Sequence, residues 1–173
     1  MRPKRKTPGG FTLIEMMIAL ALMAMLMGAI AAAVHASLTN YRENEEMFRA
    51  ISTARQAVVR ITTDLRTSSA IKSDDGAEVC TISLDGDPEE DGSTAVWDIA
   101  YEFADAANAL NFVQYNTDGT ILASNILCRN VTAMNFTRTP ASGKARSVRI
   151  SMTVTVGDHS QTVSSAAVIR RNL

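Results

Sequence analysis

Residues 6–34 read KTPGGFTLIEMMIALALMAMLMGAIAAAV, and this stretch decides the architecture of the chain. From Phe11 to Val34 it holds no proline and one charged side chain, Glu15. As a helix, these 24 residues would be about 36 Å long, enough to cross a hydrocarbon core of about 30 Å. A carboxylate inside a membrane span costs about 2.5–3.5 kcal/mol on insertion scales, so Glu15 is expected to have a function.

Charged residues are distributed in blocks along the chain. Residues 1–10 hold four bases and no acid, residues 73–128 hold twelve acids and no Lys or Arg, and residues 129–173 hold seven bases and one acid. The N-terminal bases predict that the N-terminus stays in the cytoplasm and that everything after about residue 35 lies outside. The two later blocks indicate complementary faces between subunits, or a cation site, more than nucleic-acid binding by the whole domain.

Two simple interpretations of the N-terminal stretch explain only part of it. A secretory signal cleaved near Val34-His35-Ala36 would also begin with bases, but its apolar region is only about 7–15 residues long. A plain single-pass anchor explains the length of the apolar run and leaves Glu15 without a function.

The order Gly10-Phe11-Thr12-Leu13-Ile14-Glu15, after a short basic leader, resembles the class III signal of type IV pilins and type II secretion pseudopilins. The resemblance implies that a membrane aspartyl peptidase cuts between Gly10 and Phe11, that Phe11 becomes N-methylated, and that Glu15 matches the glutamate of the family. Gly10 has no side chain to hinder an extended backbone in a protease cleft. Glu15 can neutralise the new α-amine, most simply that of a neighbouring subunit, when the helices pack in a filament.

The helix is expected to continue from Phe11 to about Ile71, because residues 38–71 have amphipathic spacing. Apolar side chains recur at steps of three and four at Tyr41, Phe48, Ile51, Ala54, Val58, Ile61 and Leu65. This stripe predicts a helix that covers one face of a sheet.

From residue 79 onward, alternation of apolar and polar residues replaces the helical spacing and predicts strands. The expected strands are 79–84, 95–103, 109–116, 120–128, 131–138, 147–156 and 162–170, with hairpin turns at 116–119 and 157–160. The fold class is therefore α+β: a long N-terminal α-helix, membrane-spanning in its first half and amphipathic in its second, packed on a C-terminal antiparallel β-sheet head.

Four segments follow from these patterns and the resemblance. They are a cleaved basic leader at 1–10, a transmembrane or filament-core helix at 11–35, an amphipathic helix at 36–72 and a periplasmic β-rich head at 73–173. The sequences TDLR (63–66) and VIRRNL (168–173) resemble minor pseudopilins of the J type and minor pilins of the W type. The resemblance implies an inner-membrane protein whose partners are prepilin peptidase and other pilins or pseudopilins, in a tip or initiation complex.

Two further features are candidate sites in the head. Cys80 and Cys128 lack the C-x-x-C spacing of zinc or redox sites, but outside the cytoplasm they could form a disulfide. The acidic loop offers carboxylates at alternate positions, as Ca²⁺ sites do, at Asp85, Asp87, Glu89 and Asp91. The EF-hand pattern fails because Glu90 stands where it requires glycine, so a solvated loop is favoured and no cofactor is expected.

No enzyme is expected, because His35 and His159 lie near no nucleophile motif. A DNA-binding competence pilin is an alternative; its basic patch would comprise Arg129, Arg138, Lys144, Arg146 and Arg149, with Phe136 among them. Positions for aromatic stacking are missing, so a solvated or subunit-facing surface is preferred and nucleic acid is not an expected partner. A plain membrane-anchored or secreted β domain is the third interpretation.

Overall fold

The computed structural model describes residues 10–72, 75–84, 97–116, 118–140 and 145–169. The chain divides into two compact units, Met1–Arg42 and Glu43–Leu173. The first unit contains the apolar part of a helix. The second, which we call the head unit, contains the rest of that helix together with all the strands.

One α-helix, α1, spans Leu13–Thr67. Ser68 closes its last turn, because its backbone N–H donates to the carbonyl oxygen of Asp64 at 2.9 Å and its hydroxyl donates to that of Leu65 at 2.8 Å. These bonds satisfy carbonyl groups that a helix end leaves without an internal partner. The predicted continuation of the helix to Ile71 is wrong, since Ala70–Ile71 form a short strand, β1.

Seven further strands follow within the described residues. They are β2 Val79–Ser83, β3 Ile99–Ala104, β4 Ala109–Tyr115, β5 Ile121–Arg129, β6 Val131–Thr139, β7 Ser147–Val156 and β8 His159–Val168. A 3₁₀ turn, Asp105–Ala107, joins β3 to β4. All neighbouring strands are antiparallel, in the order β1-β2-β3-β4-β5 in a five-stranded sheet and β6-β7-β8 in a three-stranded sheet.

The α+β class is confirmed, and a strand is present in each predicted segment, with shifts at the strand ends. Residues 95–96 and 170 of the predicted strands lie outside the described residues. The two predicted hairpins are also confirmed: Gly119 and Gly157 have positive φ angles of 80° and 56°, which glycine adopts without steric cost. The sequence did not predict that the strands divide into two separate sheets. Alternation shows which side chains share a face of a strand, but not which strands are hydrogen-bonded to each other.

The core of the head unit lies between α1 and the sheets. The helix contributes buried side chains at Ala54, Ala57, Val58, Ile61 and Leu65. The strands contribute large, fully buried side chains at Ile82, Tyr101, Leu110, Val131, Val148, Ile150, Met152 and Val154. The predicted helix face is thus confirmed from Ala54 onward, but Tyr41 and Phe48 are exposed, which corrects the prediction for these two. Helical spacing shows that side chains share a face, not that a sheet covers it.

Candidate functional site

The first turn of α1 forms a reciprocal hydrogen-bonded cap. Thr12 precedes the helix, and its hydroxyl oxygen accepts the backbone N–H of Glu15 at 3.3 Å. In return, Glu15 Oε2 accepts the backbone N–H of Thr12 at 2.8 Å and its hydroxyl at 2.9 Å. This is the capping-box arrangement, which satisfies two backbone donors that a helix start leaves open.

The cap gives Glu15 a local role that the sequence analysis missed. Its signal was present, because Thr-x-x-Glu directly before an apolar run is the signature of a capping box. The N–H that donates to Glu15 is that of Thr12, in the peptide bond between Phe11 and Thr12. The carboxylate therefore binds the backbone N–H of the residue directly after Phe11. Both side-chain bonds end on Oε2, and among the described residues Oε1 accepts no hydrogen bond.

The helix around and beyond this cap exposes its apolar side chains. The large exposed ones are Phe11, Leu13, Ile14, Met16, Met17, Ile18, Leu20, Leu22, Met23, Met25, Leu26, Met27, Ile30 and Val34. Within the described part of the chain, α1 is the one helix long and apolar enough to cross a membrane, and none of its most apolar segment is buried inside the molecule. Contiguous apolar surface of this extent is typical of contact with a membrane or with other proteins.

In the head unit, polar contacts join the second half of α1 to β3 and β4. The Tyr101 hydroxyl donates to Asp64 Oδ2, and Arg60 Nε lies 3.9 Å from the same oxygen. The Arg60 guanidinium lies 4.1 Å from the centroid of the Phe112 ring, which is 5.5 Å from the Tyr101 ring. Burial and the bond to Asp64 raise the pKa of Tyr101, so its hydroxyl remains a donor. These contacts fix the axial position of the helix on the sheet.

A buried ion pair joins the two sheets. Arg138 on β6 and Asp75 before β2 expose only 8% and 6% of their side chains, with Nη2 lying 3.5 Å from Oδ2. The guanidinium also donates to the carbonyl oxygens of Asp75, Gly76 and Val79 at 3.0, 3.2 and 2.7 Å. Asp75 Oδ2 in turn accepts the backbone N–H of Thr81 at 2.6 Å. The pair is therefore a structural link between the sheets.

This link corrects the basic patch considered for DNA binding. Arg138 is buried and ion-paired, and Phe136 is buried in the core, so neither side chain is available to a nucleic acid. Arg129, Arg146 and Arg149 are exposed. Lys144 lies outside the described residues. The sequence shows where the arginines are, but it does not show that Arg138 is buried where the two sheets meet.

The candidate disulfide between Cys80 and Cys128 is also corrected. Both are buried free cysteines. Cys80 lies on β2 and Cys128 on β5, with β3 and β4 between them. Three interstrand steps place them about 14 Å apart along the sheet, well beyond the reach of a disulfide. Burial raises the pKa of the Cys80 thiol to about 12, so it is an unreactive core side chain.

The calcium candidates Asp85, Asp87, Glu89 and Asp91 all lie outside the described residues. In the part of the chain that the structure describes, no three His, Cys, Asp or Glu side chains come together as a metal-binding group. The calcium site therefore stays a prediction from the sequence.

The comparisons with known proteins bear on the N-terminal region. Residues 5–31 match the family model of the prokaryotic N-terminal methylation motif. No curated protein and no solved structure matches the chain. The matched segment contains Gly10, Phe11, Glu15 and much of the exposed apolar helix. The chain thus carries a type IV pilin-like prepilin signal on a helix suited to membrane anchoring, which supports its membership of the pilin and pseudopilin family.

Proposed function

We propose that this chain is a minor pseudopilin or minor pilin, a non-enzymatic structural subunit of a type II secretion pseudopilus or a type IV pilus. The observation that carries the proposal is the methylation motif, with glycine, phenylalanine and glutamate in register, directly before a helix with an uncovered apolar surface. The J-type or W-type assignment and a place in a tip or initiation complex rest on sequence resemblance.

Cleavage of the leader would change the charge at the start of the apolar helix. The leader carries all four bases that precede the apolar helix, Arg2, Lys4, Arg5 and Lys6. While they are attached, they hold the N-terminus at the cytoplasmic face of the inner membrane, with the head in the periplasm. Prepilin peptidase removes them by cutting between Gly10 and Phe11, and Phe11 is N-methylated. The helix then has only the α-amine and Glu15 as charges before His35, so it can leave the bilayer for an apolar filament core.

Glu15 supplies the counter-charge for that amine. In a filament core an unpaired carboxylate or ammonium would be strongly destabilising, whereas the two together compensate each other. The geometry of the cap supports this role, because Oε2 holds the helix start while Oε1 is open to a cation, such as the amine of a neighbouring subunit. The pair would thereby set the axial register between subunits.

The first test is mass spectrometry of the N-terminal peptide purified from the native host. We expect a chain that begins at Phe11 with one added methyl group. Gly10→Val should block cleavage and leave the leader attached. Gly28→Val is the matched control, since an added Cβ meets nothing within 4 Å at either glycine, and it should be processed normally. A wild-type chain beginning at Met1 or Ser37 would contradict the proposal.

A second experiment separates the two roles of Glu15. Glu15→Gln removes the charge but retains a side chain that can complete a capping box, whereas Glu15→Ala removes both. We expect both variants to be cleaved, and both to be recovered with filament or tip-complex subunits at least roughly tenfold less than wild type, because each leaves the amine unpaired. If Glu15→Gln assembles normally and only Glu15→Ala fails, the capping role alone is sufficient and the counter-charge role is wrong.

A further inference from the structure

We draw no further inference here: the strongest candidate, the groove between α1 and the C-terminal end of β5 that Arg49, Ile126 and Arg129 line, has exposed charges of both signs, with Glu46 beside the two arginines, and nothing in the described part of the chain shows what covers it.

Discussion

The two halves of α1 have the same secondary structure and opposite surroundings. Ile18 in the first half is exposed, whereas Ile61 in the second half is fully buried in the core of the head unit. From Ala54 to Leu65 the helix finds its apolar contacts on the sheets of its own chain. From Phe11 to Val34 the large apolar side chains are exposed, and contiguous apolar surface of this extent is typical of contact with lipid or with other proteins.

The carboxylates of the two halves differ in the same way. Glu15 is satisfied by Thr12, three residues away in sequence. Asp64 instead accepts a bond from Tyr101 on β3, beside Arg60. The first half of the helix thus satisfies its polar groups locally and leaves the rest of its surface for an external partner, while the second half depends on tertiary contacts. Four experiments can break or sharpen this contrast.

The largest expected effect is in the link between the sheets. Arg138→Ala would leave the carboxylate of Asp75 buried without the guanidinium, with Lys72 Nζ 3.8 Å from Oδ1, and removing one partner of a buried pair costs about 3–5 kcal/mol. We expect a loss of about 4 kcal/mol in the free energy of unfolding, measured by denaturant titration of the full chain in detergent and followed by Trp97 fluorescence. Arg149→Ala, at an exposed arginine on β7, is the control. Equal stability of the two variants would show that the pair does not hold the sheets together.

The next effect compares the same substitution in the two helix halves. Ile61→Ala should lower the free energy of unfolding of the head unit by about 3 kcal/mol, a typical cost of a cavity in a packed core. Ile18→Ala should change it by less than about 0.5 kcal/mol, as expected for a side chain outside that core. The same denaturant titration measures both. A comparable loss in the two variants would contradict the separation of α1 into an internally and an externally covered half.

Features that depend on local spacing could be predicted from the sequence, whereas features that depend on tertiary packing could not. Alternation located the strands because exposed and buried faces impose a period of two, and the prepilin motif located the candidate site at the N-terminal end of the helix. Burial of Arg138 and exposure of Phe48 could not be predicted, because both depend on where the sheets lie. The cap of Thr12 on Glu15 could have been predicted, since it is encoded by local spacing alone. β1 was missed because two residues are too few to show a period.

A smaller effect should appear in alkaline solution. Burial raises the pKa of Cys80 from its ordinary value of 9.0 to about 12, so above pH 9 the unfolded chain releases this proton while the folded chain keeps it. Stability is therefore fully present below pH 9 and falls as the pH rises towards 12, by about 1.4 kcal/mol for this group at pH 10. Cys80→Ala should remove that part of the slope. Ile82→Val on the same strand should lower stability at every pH and leave the slope unchanged. An identical slope in wild type and Cys80→Ala would contradict the assignment.

The smallest effect tests the local cap in the externally covered half. Thr12→Ala removes the hydroxyl that accepts the Glu15 N–H, which should weaken the helix start by about 1 kcal/mol. Amide hydrogen exchange in detergent should then quicken about fivefold at residues 13–15 and remain unchanged in the head unit. Thr12→Ser keeps the hydroxyl and should exchange like wild type. Thr39→Ala is a second control, because Thr39 donates to the carbonyl of His35 within the helix and caps nothing. If Thr12→Ala exchanges like Thr12→Ser, Glu15 is not held by its own helix, and its carboxylate is available in full to an amine from another subunit.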